Sequence, residues 1–281
     1  MIIWISSYPK SGNTLVRSLL SSYFFSKDGV FDFELLNNIK QFPNSSLFSK
    51  LGIDTGKSLS VIKNYIKAQE IINEKKGIKF LKTHSSFFTV NNKYSFTNSK
   101  NSIGVIYIVR DPRNIVTSLS NHTGKTIDNA AETINENFIF SKSKKKDIGE
   151  YVGSWSFNYN SWKIFNNVNR YLLIKYEDLI EDTENNFLKI LNFINFLTKS
   201  KRSIDEKKLK KCVTTTSFER LQHLENKFGF EEASKDELNN NNKRKFFYLG
   251  KKNNWKDILD KSIVKKIENG CYKEMEELGY I

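Results

Sequence analysis

Ile2-Ile3-Trp4-Ile5-Ser6 runs straight into Ser7-Tyr8-Pro9-Lys10-Ser11-Gly12-Asn13-Thr14, and an apolar-periodic segment follows from Leu15. The opening residues read as a short buried strand, the next as a small-residue turn carrying a lysine, and the last as a helix start. Such a unit is an anion cradle. Backbone N–H groups of the turn and of the first helical turn point outward at one spot, and the helix dipole adds positive potential there. The stretch therefore predicts a phosphate- or sulfate-binding site and, with it, an α/β fold.

Three further segments repeat the character of Ile2–Ser6: Ile78–Lys82, Gly104–Val109 and Tyr171–Lys175. Each is short and apolar, and helical patterns follow most of them. Helices are expected at Thr14–Phe25, Asn114–Ser120, Asn129–Lys142, Trp155–Val168 and Glu184–Leu197. The last of these carries a stripe of Phe187, Ile190, Leu191 and Ile194. A final helix is expected from near Lys256, with Ile263, Ile267, Cys271 and Met275 at four-residue spacing. Alternation of this kind predicts a single α/β domain over 1–281, with a parallel β-sheet flanked by helices. The polar stretches Ser141–Gly149 and Phe230–Lys245 read as surface loops.

The 281 residues are 38% apolar and include 22 Phe, enough for a full core, and the net charge of +14 favours anionic partners. The same lysine excess also fits a chain rich in Lys, Asn and Ile throughout. Cys212 and Cys271 form no motif and, with no signal-peptide layout at the N-terminus, read as reduced thiols of a cytoplasmic protein. Scattered His and Cys argue against a structural zinc site, and no apolar run is long enough to span a bilayer.

The Lys10 turn is not a Walker A loop, because its lysine precedes the glycine. Gly52-Ile53-Asp54-Thr55-Gly56-Lys57-Ser58 looks closer to that motif but is one residue short and follows no strand. It reads as a loop and helix start.

Tyr8-Pro9-Lys10-Ser11-Gly12-Asn13-Thr14-Leu15 instead resembles the first signature of the sulfotransferases that use 3′-phosphoadenosine-5′-phosphosulfate (PAPS), Tyr-Pro-Lys-Ser-Gly-Thr-Thr-Trp, at six of eight positions. The resemblance implies a P-loop-NTPase-like fold in which Lys10, Ser11, Gly12, Asn13 and Thr14 hold the 5′-phosphosulfate. Leu15 departs from the family tryptophan that stacks on adenine. Val109-Arg110-Asp111-Pro112-Arg113 through Ser118 resembles the family's 3′-phosphate motif, which implies that Arg110 and Ser118 bind that phosphate. Read without the family, Arg110 could equally be a strand-ending arginine paired with Asp111.

Lys82-Thr83-His84 resembles the family's Lys-x-His, which implies His84 as the catalytic base, Lys10 as the group that stabilises charge on the leaving phosphate, and Lys82 as an assistant. Tyr176-Glu177-Asp178-Leu179 and Thr216-Ser217-Phe218 resemble segments that line the family's adenosine pocket, so Tyr176, Thr216, Ser217 and Phe218 are expected there. Gly250-Lys251-Lys252-Asn253-Asn254-Trp255-Lys256 resembles Arg-Lys-Gly-x-x-Gly-x-Trp-Lys, placing Gly250 and Lys251 at the nucleotide. Tyr248-Leu249 stands where the family has its Arg-Lys pair, with Lys251, Lys252 and Arg244 as substitutes to consider. His122 and His223 read as surface or packing residues.

The implied activity is transfer of a sulfuryl group from PAPS to a hydroxyl or amine of a small-molecule or glycan acceptor, with PAP as product, and with neither a metal nor nucleic acid involved. Two rivals stand beside it: a P-loop nucleotide kinase and a non-catalytic basic module that binds polyanions or RNA.

Overall fold

A computed structural model describes residues 1–136, 139–140, 148–235 and 243–281. Five parallel strands form the central sheet: β1 (Ile2–Ser7), β2 (Lys40–Gln41), β3 (Lys79–Thr83), β4 (Ser102–Val109) and β5 (Tyr171–Lys175), in the order β2-β3-β1-β4-β5. The register pairs Ser6 with Thr83 on one side of β1 and Ser7 with Ile108 on the other; Val109 pairs with Lys175. All the strands therefore end at the same edge.

Side-chain alternation along β1 explains the two-faced core. Ile2 and Trp4 pack into one layer with Leu81, Val105, Tyr107 and the aromatic residues Phe42, Phe96 and Trp162. Ile3 and Ile5 pack into the other with Phe80, Ile106, Ile108 and Ile174. Strands buried on both faces read as apolar runs, as β1 and β4 do. Helix α1 (Asn13–Phe25) covers the second face through Val16, Leu19 and Leu20. The first face is covered by α2 (Pro112–Thr123) and the C-terminal helix α6 (Lys261–Glu277), among others.

Between them in sequence lie α3 (Tyr176–Glu181), α4 (Thr183–Thr198) and α5 (Phe218–Phe228). The stripe Phe187, Ile190, Leu191 and Ile194 of α4 is buried as its spacing predicts. A third apolar cluster joins Phe31 and Leu36 to Leu221 and Leu224 of α5 and to Phe230 and Phe247.

The structure differs from the sequence expectations at several places. The last helix starts at Lys261 rather than near Lys256. Trp255–Ile258 form one separate short turn, and Leu259 is extended before Asp260, which stands at the N-cap position of α6 without a side-chain cap bond. Trp155–Val168 divides into an α-helical part, Trp155–Trp162, and a 3-10 part, Lys163–Val168. The helix expected over Asn129–Lys142 is Ile127–Asn135. Residues 137–138 and 141–147 of the stretch 129–149, and 236–242 of the loop expected over 230–245, lie outside the described residues. The Gly52–Ser58 stretch is a loop leading into helix Ser58–Lys63, and the side chain of Lys57 is exposed. Among the described residues, no helix is long and apolar enough to cross a membrane.

Candidate active site

Every strand of the sheet delivers a residue to one cavity of about 700 Å³ at the sheet's C-terminal edge. Lys10 follows β1, Gln41 ends β2, Lys82 and His84 close β3, Arg110 follows β4 and Tyr176 follows β5. Convergence at this edge is what a parallel sheet imposes on residues just past its strand ends.

The cradle itself is a backbone device. Lys10 has φ 66° and Gly12 has φ 102°, so two residues of the turn are left-handed before α1 begins. A Cβ on Gly12 would lie 2.4 Å from the Tyr176 ring, so only glycine lets that ring close over the turn. The Tyr176 ring lies 4.4 Å from the Arg110 guanidinium. Arg110 in turn donates to the Lys10 carbonyl over 3.2 Å, and the Arg110 carbonyl accepts from the Trp155 indole over 3.2 Å. Arg110 is not paired with Asp111, whose carboxylate holds Arg113 at 2.7 Å. The strand-ending ion pair considered from sequence is thus taken by another arginine.

Three buried polar atoms here, Ser11 Oγ, Asn13 Oδ1 and Arg110 Nε, have no hydrogen-bond partner. Arg110, which lines the cavity beside the turn, thus keeps an unused donor, the chemistry an anion would satisfy. Ser11 is fully buried and is the one cradle residue that does not line the cavity. Thr14 lines it. So does Asn13, but its amide is turned back onto β1, donating to the Ile5 carbonyl and to Ser7 Oγ. Asn13 therefore meets the cavity with its backbone and braces the turn with its side chain.

The remaining residues singled out from sequence also line the cavity. Ser118 faces it from α2. Thr216, Ser217 and Phe218 line it at the start of α5. The Thr216 hydroxyl donates to the Cys212 carbonyl, and Ser217 Oγ accepts from Arg220 N as a helix cap, so these two hydroxyls are engaged locally. Gly250 (φ 55°) lies against Phe218, whose ring would sit 2.5 Å from an added Cβ. Of the three substitutes for the family Arg-Lys pair, Lys251 alone lines the cavity. Arg244 packs its guanidinium against Gly124 and donates to the Asn121 carbonyl at the end of α2.

At the far end of the cavity, His84 is half-buried and its Nδ1 is 2.9 Å from the Ser7 carbonyl. Ser7 Oγ also lies 3.2 Å from Nδ1. Because the nearer carbonyl only accepts, the proton is assigned to Nδ1, and Nε2 becomes the acceptor nitrogen. The His84 backbone N–H donates to Glu150, which also accepts from Thr83 Oγ1 and Gln41 Nε2. Burial, and then the charge of Lys82, push the His84 imidazolium down to about 3, so the ring is neutral at ordinary pH. Burial and the Arg110 and Lys82 charges bring the Lys10 ammonium down to about 7, against the pull of Glu232. Its Nζ sits 3.7 Å from the centre of the Phe246 ring.

Three residues of this end were not picked out from sequence. His122 lines the cavity, edge-on to Phe246, rather than serving as a surface residue. It stands four positions after Ser118 on one helix, and that spacing puts both on one face. Phe246 and Glu232 come from the loop between α5 and α6, where sequence carries no periodic signal. Glu232 binds Lys82 at 3.2 Å and Arg17 at 2.6 Å, so Lys82 is an ion-paired lysine.

The family model of the sulfotransferase domain matches residues 2–279. No curated protein matches the sequence. Among solved structures, mouse sulfotransferase SULT7A1 complexed with PAP is similar at TM-score 0.58 and 16% identity, over 98% of this chain and 84% of that one. Retinol dehydratase in complex with retinol and PAP is similar at TM-score 0.62 and 14% identity, over 98% of this chain and 81% of that one. At these identities the likeness is one of fold.

Proposed function

This chain belongs to the sulfotransferase domain family, and we propose that it moves a sulfuryl group from PAPS to a hydroxyl or amine, with His84 as general base. Residues 1–281 act as one domain in this reading. The observation that carries it is the Ser7 carbonyl against His84 Nδ1, which leaves Nε2 free to take a proton from the acceptor.

PAPS supplies the activated sulfuryl group. The chain's residues bind, orient and neutralise. The Lys10–Thr14 turn offers backbone N–H groups and the N-terminus of α1 to the 5′ end of the donor. Arg110 and Ser118 take the 3′-phosphate, and Lys251 adds charge where the family pair is replaced. Tyr176 and Phe218 flank the nucleoside together with Leu15, all three being on the cavity wall. Lys10 meets negative charge growing on the leaving phosphate, with Lys82 beside it. Like phosphoryl transfer, such a displacement asks the protein mainly for positioning and electrostatics. A nucleotide kinase would instead place the lysine after the glycine, whereas Lys10 precedes Gly12.

The test is calorimetric binding of PAP against AMP, followed by transfer from labelled PAPS to a panel of phenols, sugars and amines. Tighter binding of PAP, with label transfer that His84→Ala slows by roughly 10²–10⁴-fold, is the expected result. Equal binding of the two nucleotides would overturn the donor assignment.

A further inference from the structure

The transfer reading gives no task to the Glu232 carboxylate, which lines the cavity and is ion-paired there. Glu232 Oε1 accepts from Arg17 Nη1 at 2.6 Å, and Oε2 accepts from Lys82 Nζ at 3.2 Å. Both cations are buried, while the Glu232 side chain is 30% exposed and lines the cavity. Its segment is clamped. Phe230 is buried, with ring centroids 4.7 Å from Phe33 and 4.8 Å from Phe246, and Ala233 packs into the same cluster. The carboxylate is thus a fixed charge, and it acts electrostatically on Lys10, His84 and His122 alike. Burial works to raise its carboxyl, but Lys82 and Arg17 outweigh that and hold it below the usual range, so it stays ionised.

An anion site with a resident anion is poor in net positive charge. Lys82 and Arg17 share Glu232, which leaves Lys10 among the described residues as the ammonium beside them without a carboxylate partner in the cavity. Shape does not separate a sulfuryl group from a phosphoryl group, because both are tetrahedral and of nearly one size. Charge does: the sulfuryl end carries one negative charge and a terminal phosphoryl up to two.

We propose that Glu232 sets the donor's terminal group, admitting the singly charged sulfuryl and rejecting the more highly charged phosphoryl of the isosteric 3′-phosphoadenosine-5′-diphosphate. The inference rests on the PAPS reading above. Its physical content is like-charge repulsion between a fixed carboxylate and the extra charge, in a site partly shielded from water. Glu232 is a specificity residue here and takes no proton.

The experiment is calorimetry on the full chain with PAP, PAPS and 3′-phosphoadenosine-5′-diphosphate, at one pH and low salt. Wild type binds PAPS on the order of tenfold more tightly than the diphosphate. In Glu232→Gln the gap falls to within about threefold, through a gain by the diphosphate, and Glu232→Asp restores it. PAP, which lacks the terminal group, shifts far less than the diphosphate does. Glu232→Ser removes the same charge if the glutamine variant fails to fold. Equal wild-type affinities for PAPS and the diphosphate overturn the inference, as does an unchanged gap in a folded Gln or Ser variant. Failure of wild type to bind PAP overturns the donor reading itself and is separable from both.

Discussion

The guanidinium of Arg110 donates to the carbonyl of Lys10 over 3.2 Å, joining two segments a hundred positions apart in the chain. β1 and β4 are neighbours in the sheet, so the residues that follow them meet at its edge. The bond ties Arg110, which lines the cavity and packs on the Tyr176 ring, to the left-handed Lys10 of the turn. Arg110→Ala is therefore expected to narrow the preference for PAP over AMP by about 1–3 kcal/mol, the scale of a hydrogen bond to a charged group. Calorimetry with both nucleotides checks it, and an unchanged preference would remove Arg110 from the 3′-phosphate.

His84→Ala should leave PAP binding nearly intact while turnover falls by roughly 10²–10⁴-fold, the usual reach of general-base catalysis. Normal turnover in that variant would reject His84 as the base.

The pH profile separates His84 from Lys10. The His84 ring loses its proton at about 3, so kcat/KM gains its base at acidic pH and is flat in that group through neutrality. Lys10 has an ammonium that titrates at about 7, and only the charged form can meet the leaving phosphate. Activity should thus fall as pH rises through neutrality in kcat/KM, which reports the free enzyme. In Lys10→Arg that falling limb should vanish, since guanidinium stays charged. A falling limb at the same pH in the arginine variant would assign it elsewhere.

Gly12→Ala should lower stability by roughly 1–2 kcal/mol through its positive φ alone. The added Cβ also meets Tyr176 at 2.4 Å, so the ring must leave Arg110. The expected readout is a lower melting temperature together with weakened PAP binding. A variant with wild-type PAP affinity would show that Tyr176 has no part in holding the nucleotide.

Glu150 is buried and accepts from the His84 backbone, Thr83 and Gln41. Glu150→Ala leaves those donors without a partner and should cost about 1–3 kcal/mol for a buried donor left unmade. Denaturant unfolding measures it. Because the same carboxylate holds the chain at His84, turnover should fall even where PAP binding survives.

Most of the sheet was legible because β1 and β4 are buried along nearly their whole length and so read as apolar runs, while β3 and β5 keep short apolar centres. β2 was not, since its two residues, Lys40 and Gln41, are exposed and become a strand only by pairing with β3. The cradle was legible as a strand-turn-helix unit, whereas Arg110, Ser118 and His84 were singled out by the family resemblance, and the fold brings all of these segments to one cavity. Glu232 and Phe246 were not: they reach Lys82 and Lys10 from well over a hundred positions away, through loop segments whose placement depends on the Phe33–Phe230–Phe247 cluster. His122 lay between these cases. The helix period puts it on the face of Ser118, but no motif in the sequence gave His122 a role of its own.

The indole of Trp155 has a use of its own. It is buried and its N–H is bound to the carbonyl of Arg110, the residue we propose for the nucleotide's extra phosphate. Any shift of that peptide alters the polarity felt by the indole. The chain thus carries a built-in optical probe. Tryptophan emission can follow nucleotide capture in real time, with neither label nor acceptor, and Trp155→Phe supplies the blank.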